Sequence, residues 1–307
     1  FDKTGTLTER MPVLKKIITK DLLEDHLIHL AASIENKSNH PYAESIVSFA
    51  HKKNLTLSES KVINEELGRG IVGIVNSSEV SVGSLSFMQE LNIKPDKWIE
   101  DVQEELNNFS STVFVAVNRE IKAAFIFEDQ IKEGTLETVM QLKEMNLKVG
   151  MLTGDNHQNA ERMAGKLSLD FFEAEVLPHK KVNIIKKYQQ QNEIVGMVGD
   201  GINDSPALAQ SDVGIAVGSG TDIAIESSSI VILRENLNAI VSAIKLSKKT
   251  IKTIKQNLFW AFFYNVVCIP LAALGLLNPI FAALAMSLSS VSVVSNSLRL
   301  KNFKANI

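Results

Sequence analysis

The residues best suited to chemistry come almost at once: Asp2-Lys3-Thr4-Gly5-Thr6-Leu7-Thr8, an aspartate on a short polar loop. A carboxylate is a weak nucleophile, yet an aspartate that accepts a phosphoryl group can couple ATP to work. That chemistry needs an exposed position, a cation nearby and small neighbours whose backbone N–H groups can face a phosphate. Gly5 and the threonines suit such a loop. Thr4, two residues after the aspartate, cannot shuttle a proton at neutral pH. Asp2 is thus a candidate to carry an aspartyl-phosphate.

A second string lies far along the chain: Met197-Val198-Gly199-Asp200-Gly201-Ile202-Asn203-Asp204-Ser205-Pro206-Ala207. A carboxylate between glycines at a strand end is a hard-oxygen ligand suited to Mg²⁺. Asn203 and Asp204 can hold metal-bound water and the loop. Thr153-Gly154-Asp155 is too short to mean anything alone, but at the end of an adjacent strand Thr153 becomes a hydroxyl able to contact phosphate. Gly68-Arg69-Gly70-Ile71-Val72-Gly73 spells G-x-G-x-x-G, yet β-branched residues follow where a dinucleotide fingerprint needs a helix. Those glycines are read instead as letting a nucleotide approach the backbone. No Walker-type string is present.

These residues need elements to hold them. Apolar spacing predicts a helix over 131–146, a strand at Leu147–Leu152 and another at Ile194–Val198, with Val213–Val217 and Ile230–Leu233 completing the series. Strands alternating with helices argue a parallel sheet covered on both faces. Chemistry in such a sheet collects beyond the carboxyl ends of the strands. Thr153 and Asp200 sit at such ends, and Asp2 joins them if a strand leads into it. Residues 12–122 differ: helices at Asp21–Glu35 and Pro41–Lys53, then β-rich runs at 62–66, 71–75, 79–82 and 112–118. This pattern is an α+β insertion.

A 45% hydrophobic fraction and a net charge of −3 exclude a disordered chain and argue against nucleic acid as a partner. One cysteine, Cys268, permits no intrachain disulfide. The chain begins inside its first motif, without Met, and reads as the later part of a longer protein. From Asn257 to Leu298 no charged residue or His occurs in 42 positions, room for two membrane spans of ~20 residues each. Lys245, Lys248, Lys249, Lys252 and Lys255 precede this block, and Arg299, Lys301 and Lys304 follow it. Basic residues at both ends put both ends in the cytoplasm.

The first loop and the 197–207 string resemble the phosphorylation and hinge motifs of P-type ATPases. In the wider haloacid-dehalogenase-like superfamily the phosphatases carry a second Asp where this chain has Thr4. Glu35, with Ser38-Asn39-His40-Pro41, is similar to the Ser-Glu-His-Pro motif of the heavy-metal (type IB) group, although Asn39 replaces the usual Glu. Tyr264-Asn265 and Met286-x-x-Ser289-Ser290 resemble the last two helices of the copper(I)-transporting members.

The resemblance implies a haloacid-dehalogenase-like parallel-sheet phosphorylation domain (1–11 and 123–235), an inserted nucleotide-binding domain (12–122) and a C-terminal part (236–307) with a juxtamembrane helix. Two transmembrane helices are expected at about 257–277 and 280–298. It implies ATP as substrate, with Glu35, His40, Gly68, Gly70, Gly154 and Asp155 on the nucleotide side. Mg²⁺ would be held by Asp2, the Thr4 carbonyl and Asp200, while Thr153 and Lys181 brace the transferred group. Lys180 beside Lys181 leaves open which lysine acts. Tyr264, Asn265, Met286 and Ser290 would carry Cu⁺ or Ag⁺, thioether sulfur being a soft ligand.

Partners implied are membrane lipid, the actuator and helices of an upstream region, and a cytosolic copper chaperone. The expected place is the cell membrane, multi-pass, with the catalytic domains in the cytoplasm. A zinc or cadmium pump, a dehalogenase-like phosphatase and a silent metal-binding module remain as alternatives.

Overall fold

A computed structural model describes residues 1–303 except 67–68, 107–110, 201–203, 219–221, 234–235 and 276–278. In chain order the elements are β1 (Val13–Thr19), α1 (Glu24–Glu35), α2 (Pro41–Lys52), β2 (Ser60–Glu66), β3 (Gly70–Val75) and β4 (Ser78–Gly83). Next come α3 (Leu85–Glu90), α4 (Lys97–Leu106), β5 (Ser111–Val117), β6 (Glu120–Glu128), α5 (Thr135–Glu144), β7 (Gly150–Leu152) and α6 (His157–Leu167). Then follow β8 (Phe171–Glu173), α7 (Pro178–Gln190), β9 (Gly196–Gly199), α8 (Ser205–Gln210), β10 (Val213–Val217), α9 (Asp222–Ser227) and β11 (Ile230–Ile232). Two long helices, α10 (Asn238–Ala273) and α11 (Pro279–Leu298), end the series.

The catalytic sheet is parallel throughout. β9, β10 and β11 pair in parallel, as do β7 and β8. Phe1 and Asp2 stitch the two groups together: the Asp2 N–H donates to the Val198 carbonyl at 2.8 Å, and the Leu152 N–H to the Phe1 carbonyl at 2.8 Å. Asp2 thus occupies the middle of the sheet, between β7 and β9. Leu7, Met151, Val198, Ile215 and Val217 form the core beneath it. Gly150 is required there, because a Cβ would fall 2.3 Å from the Phe171 ring.

The insertion is a six-stranded antiparallel sheet in the order β1-β6-β5-β4-β3-β2. Alternate residues of its central strands feed two cores. Val113, Val115, Phe125 and Phe127 pack with α1 and α2, while Phe114, Ala116, Ala124 and Ile126 pack with α3 and α4. Burial on both sides explains why β6 reads as one apolar run rather than an alternating one. Each of the fully buried phenylalanines contributes about 1.5–3 kcal/mol of burial free energy.

Four elements, α5, β7, β1 and β6, depart from the sequence expectation. The helix expected from 131 begins at Thr135, because Ile131 bridges Thr8 and the Lys132 N–H donates to the Leu7 carbonyl. The strand expected from Leu147 begins at Gly150, because the Val149 N–H is taken by the Asp170 carboxylate at 2.8 Å. The pair β1 and β6 was not foreseen as strands; they run antiparallel and carry the chain into and out of the insertion.

α10 runs unbroken for 36 residues and contains a stretch long and apolar enough to cross a membrane. Pro270 lies inside it, where it removes one helical hydrogen bond. α11 packs back on α10, and Asn257 anchors the pair by bonding Ser297 at 2.9 Å and Asn296 at 2.9 Å.

Candidate active site

The loop after Asp2 folds around one carbonyl. The N–H groups of Leu7 and Thr8 both donate to the Lys3 carbonyl at 3.0 Å, and the Thr8 hydroxyl does so at 3.2 Å. Gly5 is needed at the bend: its φ is +75°, and a Cβ there would meet Asp200 Oδ2 at 3.3 Å. Lys132 Nζ caps the Gly5 carbonyl at 2.6 Å.

Around that loop the strand ends deliver their side chains. Thr153 follows β7 and is 2% exposed; its hydroxyl accepts from the Asp155 N–H at 3.1 Å. Asp200 follows β9, and Asp204 stands at the start of α8. Lys181, in the first turns of α7, reaches Asp2 Oδ1 at 2.5 Å and Asp204 Oδ1 at 2.6 Å. Lys181 is buried and Lys180 exposed, so the geometry selects Lys181 of the two.

One buried ammonium therefore serves two buried carboxylates. Burial first, and the nearby Asp204 charge second, push the Asp2 carboxyl up to about 6 against the pull of Lys181. Burial also acts to lower the Lys181 ammonium, but the charges of Asp2 and Asp204 outweigh it and hold Lys181 above its usual range. Asp2 is thus still mostly ionised at neutral pH. Asp204 Oδ2, fully buried, has no hydrogen-bond partner among the described residues. An orphaned oxygen and an excess of carboxylates over cations fit a divalent metal, and the donors are hard oxygens of the kind Mg²⁺ takes. Asp2, Asp200 and the Thr4 backbone would hold it.

Asp155 is placed next to the first loop. Its carboxylate is paired with Lys3, which also bonds Asp129 at 2.7 Å. Lys3, Asp129 and Lys132 bond around the Asp2 loop and were passed over by the sequence reading; Asp129-Gln130-Ile131-Lys132 follows β6, and recognising that strand would have exposed them. Asn203 and Gly68 lie outside the described residues.

A second cavity, of about 540 Å³, opens in the insertion and is lined by Glu35, His40, Glu65, Gly70 and Ser111 among others. Glu35 ends α1, 7% exposed. Burial and the neighbouring Glu65 push its carboxyl up to about 8, so it carries its proton at neutral pH and can donate a hydrogen bond. Burial lowers His40, keeping its ring neutral. Gly70 borders this cavity, but its bare Cα is demanded by packing: a Cβ would lie 2.3 Å from the Phe87 ring and 2.6 Å from the Val82 carbonyl. Gly154 meets nothing nearer than 3.8 Å.

On the long helices, α10 carries Tyr264 and Asn265, and α11 carries Met286 and Ser290. The Asn265 amide donates to the Ala261 carbonyl one turn back at 3.0 Å. The Met286 side chain lies outside the described residues.

A parallel sheet with a buried aspartate between its central strands, and an insertion leaving right after it, defines a class. The haloacid dehalogenase-like hydrolase family matches residues 1–212, and this chain belongs to that family. Its relatives are more particular. It is 43% identical over 307 residues to a copper-exporting P-type ATPase of Legionella pneumophila, covering 98% of this chain and 42% of that protein. It is 45% identical over 312 residues to a probable copper-exporting P-type ATPase of Archaeoglobus fulgidus, covering 99% of this chain and 38% of that one.

The chain thus spans about two fifths of the length of these curated relatives. Among solved structures, a zinc-transporting PIB-type ATPase in its E2.Pi state superimposes with a TM-score of 0.83 at 32% identity, over 97% of this chain and 49% of that one. A catalytic CPx-ATPase domain, CopB-B, gives a TM-score of 0.62 at 29% identity, over 80% of this chain and 86% of that one.

Proposed function

We propose that this chain is the catalytic and C-terminal membrane part of a P-type pump that exports monovalent copper, working through a phosphorylated aspartate. The observation that carries the reading is the buried Asp2–Lys181–Asp204 group at the strand ends, with Thr4 where a hydrolase would need a proton shuttle. The names of the relatives support the metal.

In this reading the nucleotide base lies in the cavity of the insertion, where protonated Glu35 donates to a ring nitrogen and neutral His40 stacks or accepts. The triphosphate then points toward Asp2. Asp2 attacks the γ-phosphorus in line; the new carboxylate–phosphorus bond forms as the bond to the bridging oxygen breaks and ADP leaves. Lys181 and the Thr153 hydroxyl face the oxygens on which charge accumulates. Mg²⁺, when bound, neutralises phosphate charge and aligns the transferred group. The inserted sheet acts as the nucleotide domain, from residue 12 to the end of β6 at Glu128 and not to the expected 122, which would cut that strand. Residues 1–11 with 129–235 act as the phosphorylation domain.

The metal class is argued from the long helices. Tyr264, Asn265, Met286 and Ser290 would take Cu⁺, or the equally soft Ag⁺, in a cell-membrane pathway shared with upstream helices, supplied by a cytosolic chaperone. A zinc pump is the second reading, favoured by the structural likeness to a zinc-transporting ATPase. Zinc would call for ionisable ligands, and none occurs from Asn257 to Leu298.

The test is phosphoenzyme formation from labelled ATP in a pump with its upstream region restored. Label that requires Asp2, rises with Cu⁺ and loses that rise in Met286→Leu supports the proposal. Stimulation by Zn²⁺ alone keeps the pump and removes copper. The 307-residue chain alone is expected to bind nucleotide and to move no Cu⁺ into vesicles.

A further inference from the structure

Arg10 has no part in the site as described so far, yet it reaches into it. It lies on the link from the catalytic loop to β1, and its guanidinium Nη2 stands 3.4 Å from Asp200 Oδ2. Its stem packs on the loop: a Cβ placed on Gly5 would meet Arg10 Cγ and Asp200 Oδ2 at 3.3 Å each. Gly5, Arg10 and this one carboxylate oxygen therefore share a single contact point.

The burial is lopsided. The Asp200 side chain is 12% exposed and that of Arg10 is 56% exposed, so the cation enters from solvent to a carboxylate held inside. The neighbouring lysines have other duties. Lys181 serves Asp2 and Asp204, Lys3 serves Asp129 and Asp155, and Lys132 caps the Gly5 carbonyl. Arg10 is a cation that the fold lays on Asp200.

We propose that Arg10 is a stand-in counter-ion for the divalent metal: it occupies Asp200 while the metal is away, competes for the same carboxylate, and so sets the metal concentration at which the site fills. The inference rests on the reading of Asp200 as a metal ligand. Guanidinium suits this work. It stays charged at every working pH, so the competition is not lost to titration. Its exposed, flexible stem allows it to swing into water when a stronger cation arrives. Arg10 also stands on the chain leading into the insertion, just past the Glu9 N–H that bonds the Gln130 carbonyl at 2.8 Å. Filling the site therefore unties that link from the end of β9.

Arg10 is a positioning residue, and its test reads metal affinity without turnover. Mn²⁺ binding to the 307-residue chain in detergent is followed by loss of the free-ion electron paramagnetic resonance signal. The proteins compared are the parent chain, Arg10→Met, Arg10→Lys and Asp200→Asn. Arg10→Met keeps most of the stem and removes the charge, and is expected to bind Mn²⁺ about three- to fivefold more tightly, the scale of one partly exposed ion pair. Arg10→Lys returns most of the way to the parent value. The gap between parent and Arg10→Met narrows in about 0.5 M salt. Affinity unchanged or weakened in Arg10→Met, with binding weakened in Asp200→Asn, overturns the inference and leaves the metal site standing. Binding unaltered in Asp200→Asn removes the metal site and the inference together.

Discussion

Asp2 and Glu35 are buried almost equally, 8% and 7% exposed, yet the two regions treat them differently. In the catalytic sheet Asp2 is given a lysine within 2.5 Å, and its carboxyl is held near 6, low enough to stay charged at neutral pH. In the inserted sheet Glu35 faces Glu65 and no cation is described beside it, so it keeps its proton up to about 8. Burial alone raises both. The difference lies in what the neighbouring elements bring: α7 delivers Lys181 to one, and β2 delivers a second acid to the other. One region thereby keeps its carboxyl charged and the other keeps its carboxyl protonated.

The comparison is broken most severely at Lys181. Lys181→Met leaves two facing buried carboxylates with no cation between them, at a cost of about 3–5 kcal/mol. Phosphoenzyme formation is expected to fall by about 10²–10³-fold. Denaturant unfolding at neutral pH, with labelling in the restored pump, reads both effects; label at the parent level would refute the role given to Lys181.

The next largest effect belongs to Glu35, and its sign is fixed by the direction of the shift. A carboxyl whose folded pKa is raised stabilises the fold fully below its unfolded value near 4.5, and that contribution is lost as pH rises through about 8. Glu35→Gln abolishes this slope. At pH 9 the variant should be more stable than the parent by on the order of 5 kcal/mol, and near pH 4 the two should converge. Parallel stability curves across that range would show that Glu35 is ionised in the folded protein.

Glycines sharpen the same contrast between regions. Gly70→Ala drives a methyl into Phe87 and the Val82 carbonyl, and overpacking of that kind costs about 1–3 kcal/mol. Gly154→Ala enters open space beside Thr153 and should stay within about 0.5 kcal/mol. Thermal or chemical unfolding separates the two. The smallest change is expected at Lys180, exposed beside the buried Lys181: Lys180→Ala should leave label intact and stability within about 0.5 kcal/mol.

Much of this site was legible because its residues are local strings. Thr153 and Asp200 each follow a short apolar run, so their placement at strand ends could be read from type and order, while Asp2 and Asp204 were marked by the strings around them. The choice of Lys181 over Lys180 could not, since both stand in the same turn and only the packing of α7 decides which points inward. Lys3, Asp129 and Lys132 were missed for a related reason. Their partners are more than a hundred positions away, brought near by β1 and β6, and β6 hides its alternation because both its faces are buried. Its hairpin with β5 was equally veiled: Asn118 and Arg119 both take positive φ, 49° and 66°, without the glycine that marks such turns. The proton on Glu35 comes first from its burial and then from Glu65, brought beside it by β2, and no local pattern announces either. The tight packing of Phe87 on Gly70 was hidden for a similar reason, since it comes from α3 and not from the glycine string itself.

The first turns of α10 belong to the catalytic sheet. Leu237, Ile240 and Val241 are buried in its cores, and the Thr138 hydroxyl bonds the Asn238 amide oxygen at 2.7 Å. The same helix continues for 36 residues without a break, a rod of about 54 Å at 1.5 Å per residue. Its far end is the apolar segment beside α11. A rod clamped at one end converts small rotations into large displacements, and a tilt of ~5° over that length moves the tip by ~5 Å, nearly one helical turn. Adding or removing a phosphate on Asp2 would not have to send any signal through side chains to be felt there. It would only have to rock the socket.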